Sequence, residues 1–240
     1  TDTLVKVLYN ICLILTLIET VQCWTLLKGY KMYQRDVNEI KAFVKWRGPD
    51  ALVNNGLFVL LTIQAGLSTV KGGMVKVERD GYAADCLWGK KSDGYEYLVD
   101  NAEYLYGKLY HIADTKGYES VEACADVVQL FMAVPNLGMV KAAFLAQCLG
   151  FNVACIDSHN IKRLGISPNL VKSPPATMKP ATVRKKVEQY VELTQVEGSE
   201  YWWNTWCEYV AGNRANRALD TGDVVSRFHV ECITYGFEHG

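Results

Sequence analysis

Along most of the chain, apolar residues recur at helical rather than alternating spacing, which predicts a mostly all-α fold. Leu4 to Leu27 reads as a long helix, apolar almost all round in its first half and so expected to be central, with Gly29 interrupting it. Asp36 to Trp46 follows, Asp36 standing as N-cap with Glu39 three residues on, and Gly48-Pro49-Asp50 ends it. Ala51 to Val70 reads as one further helix. From 71 to 94 the period is lost: Gly72-Gly73, Gly81, Gly89 and Gly94, with charges between them, predict a Gly-rich loop or a small hairpin in which Met74 to Val77 pairs with Ala83 to Trp88. Tyr95 to Ile112, Ser120 to Met132, Asn160 to Leu164, Thr182 to Thr194 and Ser199 to Ala211 return to helix, and the proline-containing stretch Ser167 to Pro180 reads as an exposed connector. The Gly-rich stretch is then a seam between two helical lobes, one of residues 1–70 with 181–240 and one of 95–166.

The most informative stretch is Leu130 to Ile166. An apolar run, Val127 to Ala133, leads into Val134-Pro135-Asn136-Leu137-Gly138, and a second apolar segment, Met139 to Leu149, follows at once. This predicts helix, tight hairpin, helix. Pro135 cannot donate a helical hydrogen bond, Asn136 tolerates positive φ, and Gly138 allows an approach that a Cβ would block. Unpaired amides at the head of the second helix, with the positive end of its dipole, form an anion site that suits a DNA phosphate. Downstream, the strand-like Val153-Ala154-Cys155-Ile156 places Asp157 either at a pocket edge or as N-cap of the helix at Asn160.

The spacing h-P-x-h-G-x-x-x-A from Val134 to Ala142, followed by Ile156-Asp157-Ser158-His159 and the tail Ile161-Lys162-Arg163-Leu164-Gly165, resembles the helix-hairpin-helix DNA glycosylase superfamily. The resemblance covers about forty residues. It implies a single glycosylase-like unit over residues 1–240 and a partner in DNA, bound at Pro135, Asn136, Gly138, Met139, Val140 and Lys141. It further implies Asp157 as catalytic carboxylate and a monovalent cation on the hairpin carbonyls; His159 and Tyr110 would support a base pocket. Two departures qualify it. Asn136 replaces the first hairpin glycine, and Val140 stands where bifunctional members carry a Schiff-base lysine. Lys141 lies one residue on, about 100° further round a helix, so a carboxylate-only, non-lyase mechanism is expected. An amine-transferring branch of the same superfamily, found in bacteriophages, modifies an activated hydroxymethyl pyrimidine in DNA and is the alternative enzyme. A non-enzymatic DNA-binding or structural protein is the third reading.

Composition adjusts this picture only modestly. The chain has 240 residues, half of them hydrophobic and 21% charged, a globular composition with length for a substantial core. Its net charge of −1 argues against strong non-specific DNA binding, which draws on Lys and Arg, but allows a local basic patch. The eight cysteines include no C-x-x-C pair, so neither a metal site nor an iron–sulfur cluster is expected, and no cofactor beyond the hairpin cation. Val7 to Ile18 is apolar but too short to span a bilayer, and no clear signal peptide precedes it. The expected location is the cytoplasm, that of the host if the protein is phage-encoded, with no membrane partner. Walker, Rossmann and H-E-x-x-H motifs are absent.

Overall fold

The structure, a computed structural model, describes residues 37–65, 67–80 and 87–205. The expected helices at Leu4 to Leu27 and beyond Thr205, the Asp36 cap and the segment 81–86 lie outside the described residues. Among the described residues every regular element is a helix, in keeping with the all-α pattern. No helix there is long and apolar enough to cross a membrane.

In chain order the helices are α1 (Val37–Arg47), α2 (Pro49–Leu61), α3 (Leu67–Asp80), α4 (Lys90–Asp100), α5 (Ala102–Lys116), α6 (Val121–Phe131), α7 (Met139–Cys148), α8 (Ser158–Leu164), α9 (Pro168–Val171), α10 (Pro180–Gln195) and α11 (Ser199–Thr205). The hub is α2, which packs against α1, α3, α4, α5 and α7. Its PDALVNNGLFVLL sequence has apolar side chains on every face, and Leu52, Phe58, Val59 and Leu60 are almost wholly buried. The α7 helix is buried in the same way from Ala142 to Cys148 and lies against both α6 and α2. Across the other side of α6 runs α10.

Three sequence expectations need correction. The segment Met74 to Val77 is no strand: it lies within α3, and so do Gly72 and Gly73. Close packing explains how Gly73 is tolerated in a helix, since a Cβ there would sit 2.8 Å from Leu61 Cδ2. The α2–α3 region is two helices rather than one from Ala51 to Val70, because Thr62 to Gln64 form a turn and Gln64 takes φ +54°. Likewise the stretch Tyr95 to Ile112 is divided at Asn101, whose side-chain amide donates to Tyr97 O at 2.9 Å and competes with the helical backbone. Val153 to Ile156, expected to be strand-like, takes no regular structure and pairs with no strand among the described residues.

Gly94, on α4, is where the hairpin meets the hub. A Cβ on it would fall 2.5 Å from Pro135 O and 3.1 Å from Leu60 Cδ2. Backbone cannot yield as a flexible side chain does, so Gly94→Ala is expected to cost about 1–3 kcal/mol, the usual range for overpacking. It should also displace the turn at 135, measurable as a lower melting temperature with shifted amide resonances at 134–138. A variant melting with the wild type would disprove the close approach.

An ion-pair cluster fastens α10 to α6. Arg184 bonds Asp126, and its Nε donates to Glu188 at 2.6 Å; Lys116 reaches Asp126 at 2.7 Å. Burial opposes the charge of Asp126, yet hydrogen bonds from Lys116 and Arg184 outweigh it and hold the carboxyl below its ordinary pKa. A lowered folded pKa contributes stability above the unfolded value, and that contribution is lost as pH falls through the folded value. Below about pH 4, near the unfolded aspartate pKa, wild type should therefore lose melting temperature faster than Asp126→Asn. Parallel pH profiles would refute this.

Candidate functional site

The turn between α6 and α7 is built from the inside out. Val134 and Leu137 are each 2% exposed, and Met139 is fully buried, so three apolar side chains anchor the loop. Asn136, exposed between them, adopts φ +68°. Leu137 N donates to Val134 O at 3.1 Å and closes the turn.

Gly138 is extended, with φ −73° and ψ 172°, so its glycine is required for space rather than for backbone conformation. The group occupying that space is the Ser173 hydroxyl, which would lie 2.6 Å from a Cβ and which accepts a 2.9 Å hydrogen bond from Met139 N. The Met139 amide is therefore capped from within. Lys141 N and Ala142 N both turn back to Gly138 O at 2.9 Å. The amides of Gly138 and Val140 have no internal acceptor among the described residues. The side chain of Val140 packs on the core. That of Lys141 runs back toward α2, its Nζ 3.4 Å from Thr62 Oγ1 and 5.2 Å from the Phe144 ring centroid.

Asp157 reaches its position along a buried connector. Val153, Ala154 and Ile156 are fully buried without a neighbouring strand among the described residues; Val153 N donates to Phe151 O at 2.9 Å, and the groups beyond it need side-chain partners. Tyr190 of α10 supplies two bonds: its hydroxyl donates to Ala154 O at 2.7 Å and accepts from Ile156 N at 3.1 Å. Gln147 of α7 accepts from Cys155 N at 3.2 Å and donates to Ser199 O at 2.8 Å, joining the connector to α11. With the connector so held, Asp157 emerges half-buried at the head of α8, where its Oδ1 accepts from Asn160 N at 2.9 Å. The carboxylate caps that short helix.

Burial pushes the Cys155 thiol up to about 11, with Lys141 lowering and Asp157 raising it. Both charges therefore lie within electrostatic reach of the Cys155 sulfur.

Residues with no sequence motif also belong here. Asn160 is fully buried, and neither its Oδ1 nor its Nδ2 has a hydrogen-bond partner among the described residues. An amide in that state forgoes roughly 1–3 kcal/mol for each unsatisfied group, and such cost is often associated with function. Tyr110 stands apart from these residues. It is 44% exposed and lines an open groove of about 270 Å3 with Lys41, Lys45, Asp114 and Tyr118. A second open groove, of about 440 Å3, is lined by Arg47, Asp50, Asn54 and Tyr95. Asp157 borders neither groove.

Compared with known proteins, the chain matches no family model, no curated protein and no solved structure.

Proposed function

We propose that the protein acts on DNA through a helix-hairpin-helix of the glycosylase type, with Asp157 as the catalytic carboxylate and without a Schiff-base lysine. The observation that carries this reading is that the amides of Gly138 and Val140, beside a turn fixed by left-handed Asn136, meet no acceptor among the described residues. Two such amides at a helix head suit one phosphate of a strand. The nucleotide to be processed leaves the stack. Asp157 then either stabilises positive charge at C1′ or takes the proton of an attacking water. The bond to the base breaks, its electron pair leaving with the base.

The test is to incubate the purified protein with duplex DNA bearing modified pyrimidines, then digest the DNA and weigh its nucleosides. Abasic sites establish excision. A heavier base on an intact glycosidic bond establishes the amine-transfer alternative, in which the same fold modifies rather than removes. Unaltered nucleosides with DNA retained on the protein leave a binding module, and a protein that neither binds nor alters DNA overturns the proposal.

A further inference from the structure

Lys91 of α4 and Lys141 of α7 end at the same place, the C-terminal turn of α2. Lys91 Nζ donates to Ile63 O at 2.6 Å and lies 4.1 Å from the Trp88 ring centroid; the residue is only 4% exposed. Lys141 Nζ is 3.4 Å from Thr62 Oγ1, a long contact, and 5.2 Å from the Phe144 ring centroid, and meets no anion among the described residues. Neither lysine meets a carboxylate among the described residues.

The charges do not balance. A helix carboxyl end offers about half a unit of negative charge, and the amide end of α7, whose first turn carries Lys141, adds positive charge of similar size. Counting the described residues, the two ammonium groups leave well over one positive unit in a partly desolvated place, where an unpaired charge is costly. Burial, followed by the charge of Lys141, lowers the pKa of Lys91. Trp88, whose ring faces the Lys91 ammonium, is 58% exposed, and Gln64 is exposed. A monovalent carboxylate would neutralise only one lysine, whereas a phosphate-type oxyanion can answer both.

We propose that Lys91 and Lys141 form an oxyanion site for a phosphate group, with Lys141 as the arm that contacts it and Lys91 as the buried charge behind. The phosphate belongs either to a nucleic-acid backbone or to a free small molecule, and only the first source rests on the function proposed above.

The test uses the full chain, as wild type, Lys141→Gln and Lys91→Met, with inorganic phosphate and a short DNA duplex as probes and chloride at matched ionic strength as control. Phosphate is expected to raise the wild-type melting temperature beyond chloride, and calorimetric affinity for it should fall at least tenfold in Lys141→Gln. In phosphate-free buffer Lys141→Gln should melt no lower than wild type, because it removes repulsion, so the result stands even if Lys91→Met fails to fold. DNA that competes with phosphate and binds more weakly to Lys141→Gln identifies the backbone as source. Lysine-dependent phosphate binding with DNA affinity unchanged identifies a free ligand, and with no DNA binding at all it retains this site while removing the proposed function. A response that chloride reproduces, or that Lys141→Gln shares with wild type, overturns the site.

Discussion

Asp157→Asn is expected to leave the protein folded and bound to DNA while lowering its base chemistry by about 10²- to 10⁴-fold, the range for loss of a positioned acid or base. The separation of the two effects follows from the capping bond. Asp157 Oδ1 accepts from Asn160 N at 2.9 Å, and an asparagine oxygen can make the same bond. Asn and Asp are nearly equivalent N-caps, so the melting temperature should hardly move. What asparagine cannot supply is the negative charge at a developing oxocarbenium or the proton acceptor for water. Single-turnover conversion of a modified duplex, followed by mass analysis alongside a thermal melt, reads both. Unchanged conversion would remove Asp157 from the chemistry, and a large fall in melting temperature would show that the carboxylate supports the fold rather than the reaction.

Tyr190→Phe should give the largest loss of stability among changes that remove a single atom. The ring is almost wholly buried, and its hydroxyl joins α10 to the connector through Ala154 O and Ile156 N. Phenylalanine keeps the packing but leaves two backbone groups unsatisfied in a dry interior, at roughly 1–3 kcal/mol each. At about 2–4 °C per kcal/mol for a chain of this size, the melting temperature should fall by several degrees or more. Because the freed segment leads directly into Asp157, conversion should fall as well, with kcat affected more than KM. A variant that melts and turns over as wild type would mean that the strap positions nothing.

The all-α character and the apolar helices α2 and α7 were legible in the sequence because their side chains are apolar on every face, a signature that requires no knowledge of the neighbours. Ser120, whose Oγ accepts from Ala123 N at 3.1 Å, and Asn136 at φ +68° are likewise settled by nearby atoms. The reading of 71 to 94 failed at the opposite kind of position. Gly73 and Gly94 resemble loop punctuation, but they are small because Leu61 and the Pro135 carbonyl press against them inside the fold.

By itself, the sequence determined the helical periodicity, the turn at 134–138 and the head of α8 at Asp157, because dihedral preference and capping are decided within a few residues. The tertiary structure alone decided that Ser173 covers one hairpin amide, that Tyr190 and Gln147 hold the connector, and that Lys91 and Lys141 converge. Each of these joins groups far apart in the chain, and an isolated backbone carbonyl or buried charge selects its partner by what the fold brings within about 3 Å of it.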